Sequence, residues 1–221
     1  KCNHPVLITG YPKRKKKKDI FISKNKNPII NFFSPLNNFF YTNVFKIISK
    51  IERRYVEYQY PNHFKEKNIS DFSLQELNIS GSWSKSGLSL SINQESIALI
   101  KKCKFDILIS IGVGILKGDI LSSSKYGVIS FHHGDNSLKY RGSPPGFWEV
   151  LEGSEYTGFI IQKLTNNLDG GEILYKGIAN TQPLWFLNRA FIQEKSLPAA
   201  IKVIENIKKK RNEDKNNISL Y

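Results

Sequence analysis

Residues 105–132 read FDILISIGVGILKGDILSSSKYGVISFH, and this stretch decides the fold. Phe105 to Gly112 is a β-branched, apolar run expected as a buried strand, and Tyr126 to His132 is expected as a second. Ile115 to Leu121 between them is expected as a short crossover helix. Two strands joined through a helix pair in parallel and wind right-handedly. The expectation is therefore an α/β fold with a Rossmann-like, mostly parallel sheet flanked by helices. In such sheets ligands collect beyond the carboxyl ends of the strands. His132 ends the second strand, which suits a cleft better than a core. Side chains alternate along a strand, so Ser130 and His132 share one face while Phe131 and His133 take the other.

Working outward, Asn93 is expected to cap a helix carrying Ile97, Leu99 and Ile100 that ends near Lys104. Phe147 to Leu151 is expected to start a helix after Pro144 and Pro145. Gly158 to Leu164 and Glu172 to Ile178 read as strands. Ser196 is expected to cap a final helix, with Pro198 in its first turn and Ile201, Ile204 and Ile207 on one face. In the first half, Val6 to Gly10 suggests a strand and turn, and Ile20 to Ser23 suggests another strand. Val44, Ile47, Ile48 and Ile51 fall at helical spacing, which predicts an amphipathic helix over 44–55 with one buried face. Residues 65–91 read as loop with short strands. The chain is expected to form one catalytic domain over 1–221, with its recognisable core at 105–178 and a helical extension at 196–221.

Composition sets outer bounds. The 221 residues carry a net charge of +14, with 40% hydrophobic residues and 24% charged ones, as in ordinary globular proteins. No apolar run approaches the roughly 18 residues that span a bilayer, so a soluble, cytoplasmic protein without a membrane partner is expected. Cys2 and Cys103 form neither a disulfide framework nor a zinc-ligand spacing, and no metal is expected. Lys13 to Lys18 and Lys208 to Arg211 are basic runs without interleaved aromatics, which favours solvated surface over a nucleic-acid tract. The chain has no methionine, as expected of a processed fragment or of a sequence lacking some residues, so spacings are minimum separations.

Around His132 three chemistries compete. A metal site of His132, His133 and Asp135 is disfavoured because adjacent histidines diverge on a strand. A hydrolase of Ser130, His132 and Asp169 lacks the G-x-S-x-G elbow that exposes a serine nucleophile. Acyl transfer between two bound substrates needs only a histidine and a carboxylate positioned around the reaction.

The ordered motifs SFHHGDN, YRGSPPGFWEV, TGFIIQKL and LDGGEIL bear on this choice. The succession S-x-H, Y-R-G-x-x-P-x-x-W, T-G and L-D-x-G-x-I-L resembles the formyltransferase family that uses 10-formyltetrahydrofolate. That family includes glycinamide ribonucleotide, methionyl-tRNA and sugar N-formyltransferases. The resemblance covers about Phe105 to Ile178 and places the family's catalytic histidine on His132 and its aspartate on Asp169. The family's asparagine falls on Ser130, a departure. Either Ser130 acts through a water, or Asn136 takes the role, or catalysis is impaired. The loop HGDNSLK also lacks the usual proline and leucines.

The resemblance further implies a folate pocket made by backbone around Ile111, Gly112, Val113, Gly114, Ile115 and Leu116 with Asp169. Tyr140, Arg141 and Gly142 would shape the acceptor side. The acceptor it favours is a nucleotide-linked amino sugar, whose base Tyr140, Trp148, Trp185 and Phe186 would stack. Methionyl-tRNA is disfavoured because few residues follow Ile178, and glycinamide ribonucleotide because of the altered loop. A homodimer is expected. A catalytically silent folate-binding module and an RNA-binding module are the readings from other classes.

Overall fold

The computed structural model describes residues 6–9, 28–64, 75–134, 144–167 and 170–218. The chain divides into two compact units, one of residues 14–65 and one of residues 1–13 with 66–221. In the smaller unit, α1 (Pro28–Gln59) leads into a 3-10 turn at Pro61–Phe64. The helix predicted over 44–55 lies inside α1, but its apolar stripe is not the buried face expected. Ile47, Ile48 and Ile51 are 59%, 57% and 64% exposed, whereas Val56 is fully buried. Helical periodicity names the apolar face, but it cannot supply a surface to cover it.

The larger unit holds β1 (Val6–Thr9), β2 (Gln75–Asn78), β3 (Gly81–Trp83), β4 (Ser89–Ile92), α2 (Gln94–Cys103), β5 (Leu108–Ser110) and β6 (Ile115–Lys117). There follow β7 (Val128–His132), α3 (Phe147–Leu151), β8 (Tyr156–Lys163), β9 (Glu172–Asn180) and α4 (Trp185–Ile218). Strands β1 and β2 pair in parallel, as do β4 with β6 and β5 with β7. β3 joins β4 antiparallel, and β8 and β9 extend the β5–β7 pair antiparallel in the order β5-β7-β8-β9. Helices flank these parallel pairs, as the α/β reading requires. Among the described residues no helix is long and apolar enough to cross a membrane.

Three local expectations need correction. Ile115–Lys117 is a strand paired with β4, and only Asp119–Ser122 forms a short 3-10 turn, so no crossover helix of 115–121 exists. Gly114 adopts φ +86, and a Cβ there would lie 3.3 Å from the Trp83 ring. The chain therefore turns sharply into β6 instead of starting a helix. The strand expected over 105–112 is assigned only at Leu108–Ser110. Finally, Ser196 caps nothing. Helix α4 passes through Pro198, and the Ser196 hydroxyl donates to the Gln193 carbonyl at 2.7 Å. Proline costs the helix one hydrogen bond, but Leu187, Ala190 and Ile192 before it and Ala199, Ala200 and Val203 after it are all buried. Burial on both sides of Pro198 holds the helix continuous. Ile201 is instead 58% exposed.

Other elements follow the sequence closely. Asn93 caps α2 by accepting the Ser96 N–H at 3.0 Å, and Lys104 ends it in the left-handed region. Ile97 and Ile100 of α2 pack with Leu90, Leu108, Leu116 and Val128 in one apolar cluster. Ile129, Phe159 and Ile161 pack with Ile192, Ala199 and Val203 of α4 in another. Val128 and Ile129 are neighbours on β7 yet belong to different clusters, so the sheet is covered on both faces.

Asn188, fully buried on α4, pins the segment before α3. Its amide donates to the Gly146 carbonyl and to Thr157 Oγ1, both at 3.0 Å, while its oxygen accepts the Gln182 N–H at 3.0 Å. Phe147 meets the rings of Trp148 and Trp185 edge-on, and Trp185 Nε1 donates to the Pro145 carbonyl at 3.0 Å. Removing the Asn188 amide orphans several buried groups, each of which is costly to leave unpaired. Asn188→Leu is expected to lower the unfolding free energy by about 3 kcal/mol, read by chemical denaturation.

Candidate active site at the strand ends

Three polar residues of the sheet line up on one face. Ser110 of β5 pairs with Ser130 of β7, and Ser130 pairs with Gln162 of β8, so the three lie in one row across the sheet. His132 follows two residues beyond Ser130 on the same face, opposite Ile160. Directly opposed residues project to the same side, which brings two hydroxyls, a carboxamide and an imidazole together. Below this row the same face is apolar, because Leu108 and Val128 belong to the α2-side cluster and Leu164 packs against it. The site therefore sits at the edge of a core, not within it. Ser110 and Gln162 are 7% and 8% exposed, and the His132 Nε2 is buried.

The alternation predicted for the two histidines holds. His133 stacks on Phe131, with ring centroids 6.5 Å apart, on the face that α4 covers. Burial, reinforced by the charges of His132 and Arg189, lowers its imidazole from an ordinary 6.5 to about 4. His133 is thus held neutral and structural. In the unfolded chain it takes up its proton near pH 6.5, and in the folded one only near 4, so protons favour unfolding across that window. Stability contributed by this group is complete above pH 6.5 and lost as pH falls towards 4. The loss is expected to reach up to about 3 kcal/mol, and His133→Leu should flatten it when urea unfolding is followed against pH.

Hydrogen bonds fix the loops that follow β6 and β8. Asn166 accepts the Gly118 N–H through its side-chain oxygen at 3.1 Å, tying the segment after β6 to the loop after β8. Thr165 Oγ1 donates to the Gly170 carbonyl at 2.9 Å, and the Gly170 N–H donates to the Asn167 carbonyl at 3.2 Å. These bonds bracket Leu168 and Asp169, which lie outside the described residues. Gly171 packs so closely that a Cβ there would fall 2.6 Å from Gln162 Oε1 and 2.9 Å from the Lys163 carbonyl. The double-glycine turn therefore leads onto the face that carries His132.

Of the residues singled out from sequence, Ser130 and His132 come together as expected. Among the described residues, Ser130 Oγ reaches the Phe131 carbonyl at a long 3.5 Å. Asp169, Asn136, Tyr140, Arg141 and Gly142 lie outside the described residues. In the expected folate segment, Ile111 is 73% exposed and Gly112 and Gly114 take positive φ. The side chains of Val113 and Leu116 instead pack with the α2-side cluster, leaving backbone as their contribution to a pocket. Trp148, Trp185 and Phe186 are half-buried, and Trp185 packs against Phe186 and Phe147. Ser110 and Gln162 were not anticipated. Their signal was present, since each is a polar residue inside an apolar strand at the parity of its inward neighbours.

No family model matches the chain. Methionyl-tRNA formyltransferase of Rickettsia prowazekii (strain Madrid E) is 35% identical over 91 residues, covering 41% of this chain and 30% of that protein. Methionyl-tRNA formyltransferase of Prochlorococcus marinus (strain MIT 9515) is 30% identical over 136 residues, covering 59% of this chain and 40% of that protein. The chain thus spans less than half the length of these curated relatives. Among solved structures, phosphoribosylglycinamide formyltransferase from Streptococcus pneumoniae TIGR4 shares the fold, with a TM-score of 0.51 at 13% identity over 62% of this chain and 77% of that one.

Proposed function

We propose that this chain is a divergent member of the formyltransferase family and that it transfers a formyl group from 10-formyltetrahydrofolate to a primary amine. The observation that carries the reading is His132, set at the end of β7 on the polar face that the double-glycine turn reaches. The folate supplies an activated formyl carbon, which bonds to the acceptor nitrogen as its bond to the folate nitrogen breaks and that nitrogen takes a proton.

The chain's residues manage charge and protons. His132 donates a hydrogen bond to the formyl oxygen as it becomes negative, in a setting where burial strengthens the interaction. Asp169 accepts the proton that the amine loses on attack and passes it, directly or through a water, towards the departing nitrogen. Ser130 holds that water beneath His132. The exposed Ile111 and the backbone of the Gly112 to Gly114 turn suit a flat ring with polar edges, which needs an apolar wall and backbone donors and acceptors. Arg141 orients the acceptor.

For the acceptor we favour a nucleotide-linked amino sugar. A second reading, charged initiator tRNA, has the methionyl-tRNA formyltransferase relatives behind it and a basic chain to meet an anionic partner. A panel of amino-sugar nucleotides, glycinamide ribonucleotide and methionyl-tRNA with 10-formyltetrahydrofolate separates them by which one drives folate release. His132→Ala and Asp169→Asn are each expected to lower kcat by about a hundredfold or more, near 3 kcal/mol in the barrier. Binding of 5-formyltetrahydrofolate, read by calorimetry, should stay intact. Loss of binding together with unfolding would make both residues structural and overturn the assignment.

A further inference from the structure

We propose that Gln162 is a substrate-contacting residue whose buried side-chain oxygen accepts an N–H from the attacking amine, an inference that rests on the formyl-transfer reading and extends it. Gln162 is 8% exposed, and its Oε1 is buried without a hydrogen-bond partner among the described residues. Such a group is costly unless something completes it. The residues that precede it on β8 are apolar, with Phe159, Ile160 and Ile161 almost wholly buried. Packing alone would be served as well by leucine. The carboxamide is not buried at random, since it completes the row of Ser110 and Ser130 on the His132 face. Only glycine at 171 avoids crowding Oε1, since a Cβ there would come within 2.6 Å of it.

The chemistry of the group identifies the ligand. An oxygen that lacks a donor calls for an N–H or O–H, and a neutral primary amine offers two N–H bonds and one lone pair. Holding one N–H on Gln162 fixes the direction of that lone pair, which orientation-dependent attack requires. A neutral amide is also the suitable acceptor. A carboxylate in the same place would favour the protonated ammonium, which has no lone pair to attack with.

The test uses the full chain with whichever panel acceptor it turns over. Gln162→Leu, of similar shape, is expected to lower kcat/KM for the acceptor about ten- to a hundredfold, while the affinity for 5-formyltetrahydrofolate stays within about twofold. Gln162→Glu should move the acidic limb of the kcat/KM profile for the acceptor to higher pH. His132 is the titratable side chain facing position 162 from the described strands, and its limb is set apart by repeating the profile with His132→Gln. A folded Gln162→Leu protein that keeps acceptor kcat/KM within about threefold, or that loses donor and acceptor binding alike, overturns the proposal. If the parent chain neither binds 5-formyltetrahydrofolate nor turns over any acceptor, the formyl-transfer reading fails by itself. Gln162 is then judged by its side-chain amide NMR resonance, assigned through Gln162→Leu, on addition of glycinamide at alkaline pH. A shift retains amine recognition at Gln162, and an unmoved resonance overturns it.

Discussion

The strict alternation of side chains along β7 is the constraint on which the rest depends. Ile129, Phe131 and His133 are committed to the face that α4 covers, which leaves Val128, Ser130 and His132 for the other. A one-residue slip of this strand would place the neutral His133 at the site and bury Ser130 and His132 beneath α4. Register is secured on both sides, by parallel pairing with β5 and antiparallel pairing with β8. The apolar weight of Ile129, Phe159, Ile161, Ile192 and Val203 therefore fixes the face on which the imidazole lies.

The site is polar at its rim and apolar beneath. Leu108, Val128 and Leu164 underlie the row formed by Ser110, Ser130 and Gln162, so interactions formed there are less screened than in open water. The loops after β6 and β8, distant in sequence, are tied to each other by the bond from the Gly118 N–H to Asn166.

Much of this was legible in the chain itself. Asn93 announced the start of α2, and the switch from polar to β-branched residues announced β7 and β8. The S-x-H strand end announced that Ser130 and His132 share a face before any fold was known. Other signals misled for identifiable reasons. Ser196 and Pro198 look like a helix start because proline is favoured in a first turn, yet burial on both sides of them outweighed one lost hydrogen bond. Ile115 to Leu121 connects two strands and so is expected as a helix, but pairing with β4 offered Ile115 to Lys117 a ladder that local preference could not foresee. The stripe of Ile47, Ile48 and Ile51 has helical period and remains exposed, because period describes a face and not its partner.

What the sequence determined by itself was local and periodic: which segments extend or coil, where α2 begins, and that Ser130 and His132 must share a side. Those properties depend on neighbours a few residues apart. Only the tertiary structure decided that Ser110, Ser130 and Gln162 form one row, that β8 and β9 join the parallel pair in the opposite sense, and that Gly171 lies against the Gln162 carboxamide. These are relations between residues tens of positions apart, set by strand register and by the covering of two apolar faces, and no local pattern encodes them.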